Sequence, residues 1–277
     1  VCPVNLELAA DLVTLFIDRQ DEALVISDTP MDLDPDVITN PSTGWAASAA
    51  RHRSFHIAYY YPSALASNLD GKNVVCAASG IGLRTYTFSD NASFLWFAPA
   101  GIRRGLISGI SDLGYVTGTL GTPTTFVPLS LNPGQRDALY QYAPSGDVNP
   151  LVFFPGQGFV VWGQKTSASA ASAMDRVSVS RLIKYIKRQL RRNTLSFVFE
   201  PNDQLTRDNL KAVIDGFIGD LMVKRGLYDF ATICDESNNT ADRIDRNEMY
   251  VDIALKPVKA AEFIYIPIRI VATGAEI

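Results

Sequence analysis

The sequence predicts a chain of mixed α/β and α+β class, and three observations lead there. Short apolar strands alternate with helical stretches over the first 165 residues, the rhythm that builds a layered α/β sheet. The texture then changes at 167–173, where every residue is Ala or Ser, an exposed small-residue connection between two structural units. Beyond it come amphipathic helices followed by closing strands, the order of an α+β unit. With 277 residues, 47% of them hydrophobic, the chain has the size of one large domain or two medium ones, and a division into residues 1–165 and 166–277 is predicted.

The elements follow in order. Val4, Leu8, Leu12, Leu15 and Phe16 recur at helical spacing between charged residues, predicting an amphipathic helix over 4–18. A short strand is predicted at 23–27, then an acidic loop through Pro30 and Pro35, and a small-residue helix over 45–53 behind Asn40 and Gly44. The aromatic run 55–61, stopped by Pro62, reads as a strand, 73–78 as a buried apolar strand, and 80–87 as a glycine-bearing turn. A helix is predicted over 134–142, and a hairpin pairs 151–154 with 159–162 about Pro155 to Gly158.

In the second unit, 176–179 reads as a strand, and Leu182, Ile183, Ile186 and Leu190 form the apolar face of a helix. Its other face carries Arg181, Lys184, Lys187, Arg188, Arg191 and Arg192. Residues 195–199 read as a strand stopped by Glu200-Pro201-Asn202, and Thr206 as the cap of a long helix with Leu210, Ile214, Ile218 and Leu221 inward and Gly226 beyond its end. Two strands, 249–255 and 263–271, close the chain after an Asn/Asp-rich loop at 235–245.

The composition bears on function. Twenty-five Lys and Arg against 29 Asp and Glu give a net charge of −4, so no global positive field draws nucleic acid or an anionic membrane. Apolar runs stop well short of the ~20 residues that cross a bilayer. Cys2, Cys76 and Cys234 are unclustered, which indicates neither a disulfide framework nor a zinc site. His52 and His56 have i, i+4 spacing but no evident third ligand, Gly71-Lys72 and Gly80-Ile81-Gly82 lack the further glycines of phosphate-binding loops, and Asp32, Asp34 and Asp36 lack the remaining EF-hand positions. With no nucleophile elbow and no partnered histidine, the expectation is no catalytic residue, no cofactor and no metal.

Interaction surfaces remain. The basic helix face, with Lys184, Lys187, Arg188 and Arg191, is expected to dock on an acidic protein surface. The last strand, with Phe263, Tyr265, Pro267 and Arg269, contains a proline, which confines it to a sheet edge where a neighbouring chain could pair. The opening at Val1 leads to the expectation of a trimmed piece of a longer polypeptide.

Read in order, these segments resemble the tail sheath protein of contractile-tailed bacteriophages. Tyr60-Tyr61-Pro62, then Trp96 to Gly101 with Gly105-Leu106-Ile107, is similar to the family's YYP strand and APAG turn. Asn149-Pro150-Leu151 with Gly158 to Thr166 resembles its WG-basic-T segment, and Val179 to Leu182 with Tyr185-Ile186 its next helix. Phe199-Glu200-Pro201-Asn202 resembles its FEPN turn, Cys234 to Thr240 its CDESNNT loop, and Ala261 to Ile264 its closing segment. Lys165 stands where arginine is usual, and Ser180-Arg181 where two arginines are common.

The resemblance implies a subtilisin-like α/β sheath domain followed by a smaller C-terminal sheath domain, with topology but no protease chemistry, in a fragment lacking the family's extended terminal arms. It implies a structural subunit, not an enzyme, that stacks as six-fold rings around a tail tube and contracts to drive the tube through the host envelope. The implied partners are neighbouring sheath subunits, the tail tube, the baseplate and the tail terminator, with no nucleic acid and no membrane. The implied location is the virion tail, assembled in the host cytoplasm. The same motifs serve related contractile injection machines, such as a bacteriocin or secretion apparatus, and an α/β hydrolase stands as a distant alternative.

Overall fold

A computed structural model describes residues 23–40, 44–45, 53–118, 125–141, 147–168 and 172–263. The helix expected over 4–18, most of the one over 45–53, and all but the first residue of the strand over 263–271 lie outside them.

Strand β1 (Val25–Asp28) leads through a loop to a short helix, α1 (Pro35–Thr39), which Asp34 caps by accepting the Val37 N–H at 2.8 Å. The acidic segment read as a loop therefore ends in a helical turn, because Asp34 and Pro35 supply the cap and the first helical residue. Strand β2 (Ile57–Tyr61) runs parallel to β1, and β3 (Ser63–Ser67) pairs antiparallel with β4 (Asn73–Cys76). Expected as buried, β4 is an edge strand with Asn73 and Val74 exposed.

Helix α2 (Ala78–Ala92) occupies the stretch read as a glycine turn. Its inward stripe is Ala78, Ile81, Gly82, Thr85, Tyr86 and Ser89, so small and polar residues carry the helical period and apolar spacing alone misses it. Gly82 is needed there, since a Cβ would come within 3.2 Å of the Tyr60 ring. A short α3 (Gly101–Arg104), then β5 (Leu106–Ile107), β6 (Asp112–Thr117) and β7 (Thr125–Pro128) lead to α4 (Pro133–Tyr140), held by a capping box between Asn132 and Gln135. The expected hairpin forms as β8 (Val148–Phe154) and β9 (Gly158–Val161).

The main sheet is five-stranded in the order β1-β2-β8-β9-β5, with β1, β2 and β8 parallel. A second sheet runs β4-β3-β6-β7. All five residues of β2 are buried, as a central strand covered on both faces requires. Side chains alternate across the pleat: Ala58 and Tyr60 join Ile81 and Tyr86 of α2, whereas Ile57, Tyr59 and Tyr61 join Ile38, Trp45 and Leu139. Each buried Ile or Leu side chain among them contributes ~1.5–3 kcal/mol of transfer free energy.

Past β9, residues 166 and 167 are buried, and the Ser167 N–H donates to the Ile57 carbonyl at 2.8 Å. The Ala/Ser connection thus starts inside the structure, against the exposed course expected for it. Helix α5 (Val177–Asn193) begins where a strand was predicted. Val177 and Val179, which read as strand residues, are buried on its first turns, and the Ser180 hydroxyl donates to the Phe55 carbonyl at 2.8 Å. Residues 195–199 also depart from prediction, with Leu195–Phe197 forming a 3-10 turn.

Helix α6 (Gln204–Val223) is capped by Asp203, whose carboxylate accepts the Thr206 N–H at 2.8 Å, so Thr206 sits inside the first turn. Strand β10 (Leu227–Ile233), absent from the sequence reading, pairs antiparallel with β11 (Asp252–Pro257) across α7 (Ala241–Asp245). A third core joins Leu182 and Ile186 of α5, Leu210, Ile214, Ile218 and Leu221 of α6, and Leu227 and Cys234. Trp96 packs against it, its indole N–H donating to the Lys224 carbonyl at 3.1 Å.

Candidate assembly surfaces

The basic face of α5 divides. Lys187, Arg188 and Arg191 are exposed along the second half of the helix. Lys184 is 4% exposed, its Nζ lies 2.6 Å from His56 Nδ1 and 5.9 Å from the centre of the Phe55 ring. Expected as a docking residue, Lys184 is instead a buried strut joining α5 to the start of β2, because it shares a helix face with Val177 and Ser180, the face that meets Phe55 and His56. Arg181 also turns inward, pairing with Asp90 and lying over the Tyr86 ring.

A second surface forms where the closing segment leaves the fold. Arg176 Nε lies 2.6 Å from Glu262 Oε1, which also accepts from Gln164 Nε2 at 3.1 Å. Asn149, fully buried in β8, holds the neighbouring WG-Lys-Thr segment: its Oδ1 accepts the Lys165 N–H at 2.6 Å, and its Nδ2 donates to the Tyr59 and Lys165 carbonyls. Burial pushes the Lys165 ammonium down, with Asp147 at 3.8 Å opposing, and its Nζ donates to the Tyr140 carbonyl. Of the predicted edge residues, Phe263 is described and exposed, whereas Tyr265, Pro267 and Arg269 lie outside the described residues.

Sequence reading missed a third surface, the sheet of β10 and β11, in which each strand has one neighbour among the described residues. The Asn/Asp-rich loop clamps its end. Asn238 Nδ2 donates to the Ile233 carbonyl at 2.8 Å, and Asn239 exchanges two bonds with the Tyr250 backbone, at 2.7 and 2.9 Å. A strand was expected over 249–255 but not its partner β10, for which the alternation of Phe230 with Thr232 was the available signal.

For chemistry, the described residues hold little. No group of three or more His, Cys, Asp or Glu there could hold a metal ion, and no helix there is long and apolar enough to cross a membrane. His52 lies outside the described residues, and His56 faces Lys184. Buried Asp28 makes an acid–hydroxyl pair with Ser79, whose N–H and hydroxyl donate to the two carboxylate oxygens at 2.6 and 2.7 Å. That contact caps α2, whose own N-cap, Ala77, has no side-chain acceptor.

Burial raises the Asp28 pKa above its ordinary 3.8, against the Ser79 hydrogen bonds that lower it. Ionised Asp28 therefore weighs against folding, and that loss sets in as pH rises through 3.8 toward the folded value. Asp28→Ala is expected to lose ~1–2 kcal/mol with the cap. Asp28→Asn keeps an acceptor for the Ser79 N–H, so it should match or exceed the wild type at pH 7, with its advantage shrinking at pH 4. Thermal melts of both variants at the two pH values check this, and an Asn variant as unstable as the Ala variant at pH 7 contradicts it.

Residues 169–271 match the family described as the phage tail sheath C-terminal domain. Over 195 residues the chain is 38% identical to the tail sheath protein of Vibrio phage KVP40, an overlap covering 70% of this chain and 26% of that relative. The chain belongs to the phage tail sheath family. The tail sheath protein of Enterobacteria phage T4 is 32% identical over 203 residues, covering 73% of this sheath chain and 28% of the relative. The sheath chain spans about a quarter of the length of these curated relatives. Its fold is shared with a solved sheath complex, that of the PVC extracellular contractile injection system in the contracted state, at TM-score 0.71 and 23% identity over 88% of this chain and 63% of that one.

Proposed function

We propose that this sheath chain is part of a structural subunit of a contractile phage tail, stacking in six-fold rings around the tail tube and shortening to drive the tube through the host envelope. The observation that carries this reading is the 38% identity to a phage tail sheath protein across 70% of the chain. The fold shared with a contracted injection-system sheath favours the sheath of a related injection machine as the second reading. The role is mechanical rather than catalytic. Its partners are neighbouring sheath subunits, the tail tube, the baseplate and the tail terminator, and its place is the virion tail, assembled in the host cytoplasm.

In this reading residues 1–165 form a subtilisin-like α/β sheath domain and 166–277 the C-terminal sheath domain. The parallel β1-β2-β8 core with helices on both faces supports the first, and the third core around α5 and α6 supports the second. The two-stranded β10-β11 sheet is the acceptor for strands donated by neighbours, since open edges offer unpaired backbone groups for augmentation. Phe263, Tyr265, Pro267 and Arg269 belong to a strand available for such exchange. Lys187, Arg188 and Arg191 meet an acidic tube or neighbouring sheath surface, where screened contacts break at modest cost during sliding.

Negative-stain electron microscopy of the purified chain, alone and with preformed tail tubes, tests this. Ordered polymers or decorated tubes are expected, and monodisperse particles in both samples would overturn the reading.

A further inference from the structure

The turn after α5 carries a feature that its own fold does not use. Phe199 is fully exposed and sits at φ +74°, a left-handed conformation that is costly for a residue with a Cβ. Leu195 and Val198 beside it are 65% and 56% exposed, and Glu200 follows. The turn is anchored on both sides. Phe197 packs into the third core, and beyond Phe199 the Asn202 side chain donates to the Glu248 carbonyl at 3.0 Å while accepting from buried Arg207 at 3.2 Å. An ordered, strained projection with an apolar tip is the form of an interface anchor rather than of a solvated loop.

A receptor of matching chemistry lies elsewhere on the same chain. A cleft of about 490 Å³ is lined by Ala98, Ala100, Gly101 and Gly163, with the Trp162 ring and Arg136 among its walls. Small residues leave room for an aromatic ring and Trp162 offers one to pack on. The buried Nε of Arg136 makes no hydrogen bond, the Asp137 carboxylate standing 3.8 Å away. A carboxylate that follows an inserted phenyl ring would satisfy that guanidinium, and Phe199-Glu200 has that order.

The turn cannot reach its own cleft. Arg176, on the cleft wall, directly precedes α5, and the turn follows the far end of that 17-residue helix, ~25 Å away. We infer that the Leu195–Phe199 turn, with Glu200, inserts into the Ala98/Trp162/Arg136 cleft of a second copy of this chain. The two surfaces differ, so the contact is heterologous: each copy offers one knob and one cleft, and the chain of contacts stays open, as a helical assembly needs. The inference rests on the sheath reading and specifies one of its subunit contacts.

The test uses two variants, each blocking one half of the contact. Phe199→Asp removes the knob, and Ala98→Trp fills the cleft. By sedimentation velocity, each alone should lose self-association at least about tenfold relative to the wild type. Mixed, they should form 1:1 dimers that grow no further, because one intact knob and one intact cleft remain. Circular dichroism checks the fold; should Ala98→Trp not fold, Arg136→Glu replaces it, and combining Arg136→Glu with Glu200→Arg should restore association. A wild type that associates while the mixture stays monomeric overturns the contact and leaves the sheath reading intact. So does a photocrosslink from position 199 to tube protein rather than to the 98–101 or 162–163 segments. A wild type that neither self-associates nor decorates tail tubes overturns both.

Discussion

Asn149→Leu is expected to cost ~3–5 kcal/mol of stability, a large part of the 5–15 kcal/mol that holds an ordinary domain. The side chain is fully buried in β8 beside β2, and its three hydrogen bonds tie Tyr59 and Lys165 to one amide. Leucine matches the size but takes the acceptor from the buried Lys165 N–H and the donor from two carbonyls, and each buried group left unpaired costs ~1–3 kcal/mol. Asn149→Asp separates the contributions: it keeps an acceptor for the Lys165 N–H while setting an anion against the carbonyls of Tyr59 and Lys165. Gly163→Ala acts on the same amide from the other side, since a Cβ there would lie 2.8 Å from both Asn149 Oδ1 and the Tyr140 ring. Equilibrium urea unfolding reads all three. A leucine variant within about 1 kcal/mol of wild type would mean that the amide is not what positions the WG-Lys-Thr segment.

That amide also illustrates what the sequence could and could not say. Strong apolar runs bounded by turn residues gave the hairpin of β8 and β9 and the strand β2 within three residues of their ends, because such strands are specified by their own composition. Where the inward stripe was built of Ala, Gly, Thr and Ser, as in α2, the helix was invisible to apolar periodicity. At 176–179 and 195–199 β-branched and aromatic residues read as strands, yet tertiary packing set the first in a helix and the second in a turn. The motifs behind the sheath resemblance were legible, but not their work: Asn202 and Asn239 are spent on backbone carbonyls 46 and 11 residues away, which no local pattern reveals. Likewise six cations on one helix read as a single outward docking face, although Lys184 and Arg181 are drawn to His56 and Asp90.

That division predicts opposite outcomes for residues that composition treats alike. Lys184→Ala is expected to lose ~2–4 kcal/mol, because it empties a buried site of its aliphatic stem and takes away the donor that meets His56 Nδ1. Lys184→Met restores the stem and should recover part of that loss, leaving the cost of the missing ammonium. Reversing Lys187, Arg188 and Arg191 together to Glu touches exposed positions, where single changes usually shift stability by no more than ~0.5 kcal/mol. The triple variant should therefore lose no more than ~1.5 kcal/mol and yet fail to dock on the acidic partner proposed for this face, most visibly at low salt, where exposed charges act over longer distances. Thermal melts and co-sedimentation with tail tubes across a salt series read the two effects separately. Intact docking and assembly in the stable triple variant would remove this face from the sheath interfaces. A Lys184→Ala protein as stable as wild type would mean that the His56 contact does not hold α5 against β2.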